Sequence, residues 1–348
     1  MPALKLPNAL QSGLSLLKRL AIVRPKESKL TVGLDIGSSA VKLVIAGPRK
    51  MTGARPILGK QVVALKEAVD EQVSSAISEA INAVKLPIKA VNLSVSGQWV
   101  IMRVVEMPIL KPAELVQALP FEAQRYLPFN VQEVVLDGAI LGPAEANKLW
   151  VLIVACKRDL LERRIHWIQQ AGLEPAVVDV DALALANVFL TQADSRKLAG
   201  THALVNVGAQ WTNLVVLKNN VPYLVRDIPW GAEKFTRHLA EQLGLEASAV
   251  ATQLQQDGSK SSQLLDAMKV TCEALSTELQ LSFDFFESRF GPPPDQLLIS
   301  GGLSQCPGFL EALKGLLPQP MTGWSPREDL PSQFTVAYGL ALRGASPA

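Results

Sequence analysis

Two stretches of this chain are built alike, and the repetition limits what it can fold into more than any other feature. LTVGLDIGSSAVKLVIAG, starting at Leu30, and HALVNVGAQWTNLVVLKN, starting at His202, share one order: apolar strand, acid or its amide, glycine turn, small polar residues, strand back. Apolar runs of this length bounded by a glycine turn read as paired strands. Two such hairpins about 170 residues apart predict a duplicated α/β fold with a cleft between its halves, because open α/β sheets place ligands at their strand ends.

The segments between the hairpins fill in the plan. PILGKQVVAL is a third strand, and DEQVSSAISEAINAV sets Val73, Ile77, Ala80 (or Ile81) and Val84 on one helical face. Residues 30–87 with 173–198 form the expected first domain. From Lys89 the order changes to strands (AVNLSVSGQWVIMRVVEMP), a helix that Pro120 bends or splits, two strands (EVVLDGAIL, KLWVLIVACK) and a helix stopped at Gly172. This block, 88–172, reads as a small inserted α+β subdomain. LEPAVVDVDALALANVFL then returns strand to helix with Asp181 at the junction. The expected second domain runs 199–348, with a helical subdomain at about 232–290 made of helices at 232–256 and 263–290. Leu264, Met268, Leu275, Leu279 and Phe286 sit at core spacing there. VAYGLALRG reads as a last helix.

Composition sets the class. Of 348 residues, 48% are hydrophobic and 19% charged, which is globular, and 34 basic residues against 32 acidic argue against nucleic acid as a partner. Cys156, Cys272 and Cys306 are scattered, which suits a reducing compartment. His166, His202 and His238 are too far apart for a local metal motif. No apolar run reaches the ~20 residues of a membrane span. Residues 1–29 read as a loosely ordered leader, with a competing reading in which Leu10, Leu14, Leu17 and Leu20 form a short amphipathic helix touching a membrane or partner.

The turns carry the candidate chemistry. A triphosphate needs inward N–H groups, small hydroxyls, a cation, and acids that hold Mg²⁺ through water. Asp35, Gly37, Ser38 and Ser39 with Lys42 offer one such set, Asn206, Gly208 and Thr212 an opposing turn, and Ser300-Gly301-Gly302 a third where a nucleoside could lie against bare backbone. Neither a GxxxxGK[ST] loop nor a GxGxxG turn is present, which excludes the P-loop and Rossmann classes.

In this order the three turns resemble the first phosphate, second phosphate and adenosine motifs of the actin, heat-shock chaperone and sugar-kinase superfamily. Within it, VGLDIGSSAVKLV, FEAQRYLPF, VVDVDALALANVF, LVRDIPWGAEKFT and LLISGGLSQCPGF resemble the PilM family of type IV pilus assembly proteins over about residues 30–344. The resemblance implies an actin-like (ribonuclease H-like) ATPase fold, with the inserted subdomain also found in the divisome protein FtsA. It implies ATP and Mg²⁺ in an interdomain cleft. Asp35 matches the acid that orients metal-bound water, and Gly37, Ser38, Ser39 and Lys42 match the phosphate grip. Asp181 matches the residue that orients the attacking water or metal shell, which makes it the candidate catalytic group. Gly208 and Thr212 match the second phosphate turn, Gly231 the glycine after the RDIP run, and Gly301, Gly302 and Ser304 the nucleoside turn. Two departures stand out. Asn206 replaces the usual Asp, and an amide neither charges a Mg²⁺ shell nor acts as a base. Gly231-Ala232 replaces Gly-Gly, adding a methyl near the ligand. The expectation is nucleotide binding with weak or absent hydrolysis.

The resemblance further implies a partner: the N-terminal cytoplasmic peptide of a PilN-like bitopic membrane protein, together with other pilus assembly components. It would hold the chain at the cytoplasmic face of the inner membrane, aided by any N-terminal helix. Leu115 to Phe129 are expected to line the groove, with Glu122, Arg125 and Tyr126 as candidate contacts. The alternatives are a sugar kinase or ATPase of the same superfamily and an FtsA-like filament former.

Overall fold

The computed structural model describes residues 30–48, 55–66, 69–192, 199–257 and 261–343. The expected leader, 1–29, and the end of the expected first domain, 193–198, lie outside them. The chain divides into two compact units, Met1–Asn187 with Val336–Ala348, and Val188–Thr335.

The first unit is organised by β1 (Thr31–Ile36), β2 (Ala40–Ala46), β3 (Ile57–Ala64), β4 (Ala90–Val95) and β8 (Glu174–Val180), in sheet order β3-β2-β1-β4-β8. The first three pair antiparallel, while β4 and β8 add in parallel. Helix α1 (Asp70–Ala83) packs Val73, Ala76, Ile77 and Ala80 onto Leu34, Leu43, Ile45 and Leu93 of this sheet. Each large apolar side chain buried here contributes about 1.5–3 kcal/mol.

The second unit repeats the plan. Its strands β9 (Thr201–Val207), β10 (Thr212–Lys218), β11 (Val221–Ile228), β12 (Gln296–Ser300) and β13 (Met321–Gly323) take the order β11-β10-β9-β12-β13, with the same antiparallel and parallel senses. The expected helix over 232–256 is two, α5 (Ala232–Leu243) and α6 (Ala247–Asp257), broken at Gly244, which adopts a left-handed φ of 65°. Helix α7 (Ser262–Phe290) buries Leu264, Met268, Leu275, Leu279 and Phe286, the expected core face, and the side chain of Ser261 caps its start.

A three-stranded antiparallel lobe belongs to the first unit: β5 (Val100–Pro108), β6 (Val134–Ala144) and β7 (Lys148–Lys157), in order β5-β7-β6. Helix α2 (Pro112–Ala123) covers one face, setting Leu115, Leu119 and Ala123 against Val105, Met107, Val151 and Ile153. Pro120 lies inside α2, which runs through it unbroken. Pro120 and Val116, whose carbonyl loses its usual N–H partner, are both on the exposed side, where water replaces the lost bond.

Two expected boundaries are corrected. The lobe spans 100–157 rather than 88–172. Strand β4 pairs with β1 and β8 inside the first sheet, and α3 (Arg158–Gln170) contributes Trp167 and Ile168 to that sheet's core. Nor does the second unit run to residue 348. After α8 (Phe309–Lys314), the last helix, α9 (Thr335–Leu342), docks on the first sheet. A Cβ on Gly33 would stand 1.9 Å from the Ala337 carbonyl oxygen, so the missing side chain admits the helix. Asn92 Nδ2 donates to the Leu340 and Arg343 carbonyls at 2.9 and 3.0 Å, and Arg343 pairs with fully buried Asp179 on β8.

Candidate functional site

In the first unit the parallel strands β1, β4 and β8 end at one edge of the sheet and deliver Asp35, Ser94 and, one residue beyond β8, Asp181. Asp35 is buried and lies in register with Lys42, whose Nζ donates to Asp35 Oδ2 at 2.9 Å. The Gly37 N–H donates to the Ala40 carbonyl at 3.1 Å and closes the turn, leaving Ser38 and Ser39 at its tip. Asp181 opens helix α4 (Asp181–Gln192) and accepts from Ser94 Oγ at 2.5 Å. Burial pushes the Asp181 carboxyl above the usual range and the charge of Asp35 adds to the rise, while Ser94, Ser96 and Arg164 oppose it. The structure thus gathers Asp35, Gly37, Ser38, Ser39, Lys42 and Asp181 at one edge. It adds Ser94 and Arg164, which sequence reasoning missed. Neither stands in a recognisable motif, and their relevance depends on strand neighbours.

The turn of the second unit has the same construction. The Gly208 N–H donates to the Trp211 carbonyl at 3.0 Å, and Asn206 faces Asn213 in register as Asp35 faces Lys42. In place of an ion pair there is an amide pair, with Asn206 Nδ2 donating to Asn213 Oδ1 at 2.9 Å. The pair belongs to a ladder across four strands. Ser300 Oγ on β12 donates to Asn206 Oδ1 at 3.5 Å, and Asn213 Nδ2 donates to Asp227 Oδ1 on β11 at 2.8 Å. Every link falls on a register partner. The carboxylate absent at 206 stands two strands away at 227.

The remaining second-unit candidates divide by what already occupies them. The Thr212 hydroxyl is buried and donates to the Trp230 carbonyl at 2.8 Å, so its hydrogen serves the fold. A Cβ on Gly231 would stand 2.4 Å from the Ala209 carbonyl oxygen. Its absence lets α5 start against the turn, with Ala232 and Glu233 N–H donating to the Gly208 and Ala209 carbonyls at 2.9 Å. Gly301, at φ 95°, packs under Val207, and Ser304 Oγ donates to the Gly301 carbonyl at 2.8 Å. Gly302 is different. Its backbone is ordinary right-handed helical, it is exposed, and a Cβ there would meet nothing within 4 Å. Nothing in the fold requires glycine at 302, which fits a ligand lying against that backbone.

The donor set suits a metal carried by its ligand. Among the described residues no group of three or more His, Cys, Asp or Glu is placed to hold a metal ion. Mg²⁺ needs only one or two protein carboxylates when phosphates and water complete its shell, and Asp35 and Asp181 supply that number.

On the lobe, Glu122, Arg125 and Tyr126 come together at the end of α2. Arg125 Nη1 and Tyr126 Oη both donate to Glu122 Oε1 at 3.2 Å. Beside them, Phe121 is 82% exposed, and Val116 and Ile109 also face solvent. Phe121 opens the FEAQRYLPF run, yet its exposure was not legible, since a helix containing proline has no secure facing.

A family model described as type IV pilus assembly protein PilM matches residues 33–345. The chain belongs to the PilM family. A solved structure of a PilM–PilN type IV pilus biogenesis complex is 26% identical, with a TM-score of 0.78, covering 91% of this chain and 99% of that one. Two more distant structures share the fold. The ethanolamine utilization protein EutJ from Carboxydothermus hydrogenoformans is 14% identical, with a TM-score of 0.57, covering 97% of this chain and 100% of its own. A Bacteroides thetaiotaomicron protein of unknown function with an actin-like ATPase fold is 10% identical, with a TM-score of 0.51, covering 91% and 96%. The actin-like ATPase fold expected from the repeated hairpins is therefore the fold of this PilM-family chain. No described helix is long and apolar enough to cross a membrane.

Proposed function

We propose that this PilM-family chain is a type IV pilus assembly protein at the cytoplasmic face of the inner membrane. There it holds a short cytoplasmic peptide of a PilN-type partner and binds ATP with Mg²⁺. The observation that carries the reading is the likeness, over nearly the whole of both chains, to a PilM–PilN complex. In the first unit, Asp35, the turn Gly37-Ser38-Ser39, Lys42 and Asp181 supply the phosphate and metal side. In the second, Gly301, Gly302 and Ser304 supply the nucleoside side, with Gly208 at its phosphate turn. Mg²⁺, when bound with ATP, offsets the charge of the phosphates. Asp35 and Asp181 hold its water shell.

The chain's own residues favour holding ATP over hydrolysing it. Asn206 is locked by Ser300 and Asn213 and offers no carboxylate. Asp181, with its proton affinity raised by burial, is a weak base toward water at neutral pH. For the partner, Phe121 and Val116 supply apolar anchors beside the polar cluster Glu122-Arg125-Tyr126, the combination that peptide grooves use.

The test is a fluorescence-anisotropy titration of the full chain with a synthetic peptide from the N-terminal cytoplasmic segment of a PilN-type protein, with and without ATP and Mg²⁺. Binding that Phe121→Ser weakens is expected. Absence of binding under both conditions overturns the partner reading. Lys42→Ala tests the nucleotide reading separately, with a fluorescent ATP analogue as the probe.

A further inference from the structure

Arg164 extends from α3 to the C-terminal end of β1, where its Nη1 donates to the Ile36 carbonyl at 3.1 Å. Ile36 lies between Asp35 and the Gly37 turn. The Nε of the same guanidinium is buried and has no hydrogen-bond partner. A buried N–H left unmade costs about 1–3 kcal/mol, and a guanidinium presents a planar fork that matches phosphate oxygens. Lys42 already spends its charge on Asp35, so a phosphate reaching this turn meets little net positive charge from that pair. Asp181, the carboxylate whose titration Arg164 affects, is engaged by Ser94. A cation with an unmatched donor thus stands between the phosphate turn and Asp181.

We infer that Arg164 is a further nucleotide-binding residue, one that contacts the terminal phosphate of a bound nucleoside triphosphate and makes the site favour triphosphate over diphosphate. The inference rests on the proposed nucleotide reading. Its position favours the terminal phosphate over the inner ones because it lies toward Asp181, which that reading sets beyond the end of the phosphate chain. Arg164 also belongs to the helix that follows directly from β7 of the lobe, so the contact joins nucleotide state to the element that carries the lobe.

The experiment titrates the full chain and the variants Arg164→Gln and Arg164→Lys with fluorescent ATP and ADP analogues in the presence of Mg²⁺. Loss of a charge-assisted forked contact weakens ATP binding by about tenfold or more in Arg164→Gln. ADP binding changes by less than about twofold, and Arg164→Lys recovers part of the loss because charge survives without the fork. A purely structural role moves both nucleotides together, so an unchanged ATP-to-ADP ratio overturns the inference. Should Arg164→Gln melt early without nucleotide, the ratio in Arg164→Lys decides in the same way. A wild-type chain that binds neither nucleotide overturns the inference and the nucleotide reading together, whereas wild-type binding with an unchanged ratio overturns the inference alone.

Discussion

Replacing Asn206 by an aspartate restores the residue usual at this position in the superfamily, and the ladder predicts that it will harm the protein. Asn206 donates to Asn213 Oδ1, and Asn213 in turn donates to Asp227. A carboxylate at 206 has no proton to give. If Asn213 keeps its orientation, two acceptors face each other in a position where both residues are buried. If Asn213 flips to serve the new carboxylate, its oxygen faces Asp227 instead. Either arrangement leaves one clash of acceptors and adds a poorly matched buried charge, at a cost of about 3 kcal/mol. For a unit of this size that lowers the midpoint by about 6–12 °C. Differential scanning calorimetry of the full chain reads it directly. The first unit supplies the rescue. Its hairpin carries an acid at the matching position, paired with Lys42 at 2.9 Å in the same register. Asn206→Asp with Asn213→Lys therefore regains at least half of the lost stability. A single variant as stable as wild type, or a double variant worse than the single, refutes the argument that hydrogen-bond direction fixes the amide at 206.

Three further outcomes rest on single contacts. Arg343→Met leaves fully buried Asp179 without its cation, and denaturant unfolding should show a loss of about 3–5 kcal/mol from the first unit. Gly302→Val meets open space within the chain, so apo stability stays within about 0.5 kcal/mol while affinity for a fluorescent ATP analogue falls. Equal affinity would deny the nucleoside a place against residue 302. Burial holds the His202 imidazole below its ordinary pKa of 6.5, only partly offset by Asp295, so the unfolded chain binds the proton more readily. Stability is then level above about pH 6.5 and falls as pH drops below it. His202→Gln flattens that slope in denaturant midpoints measured between about pH 7.5 and about pH 5.5.

What the sequence made legible was whatever is encoded within one hairpin. The spacing from acid to glycine to cation foretold the register Asp35↔Lys42, and the helical faces of α1 and α7 followed from apolar periodicity. What escaped depends on which strands become neighbours. Ser300 and Asn206 lie 94 positions apart, and no local pattern says that they share a rung or that Asp227 completes it. The assignment of α9 to the first unit turns on Gly33 and Asn92, whose roles appear only once a distant helix lies on them. Asn206 was rightly noticed as a departure, but its cause was not in the motif. It lay in the direction of hydrogen bonding along a row whose other members looked unremarkable.

The lobe leaves its parent sheet and returns at almost the same point. Val100, its first strand residue, is the cross-strand partner of Cys156, and the Lys157 N–H closes onto the Trp99 carbonyl at 3.0 Å while its ammonium sits over the Trp99 ring. Entry and exit are therefore one strand spacing apart, about 5 Å. A loop whose two ends already touch imposes almost no geometric demand on its host: β4 and α3 keep their places whatever hangs between them. Such an excursion is free to change in length, surface and binding taste across related chains, while the parent sheet and its charged turn stay as they are.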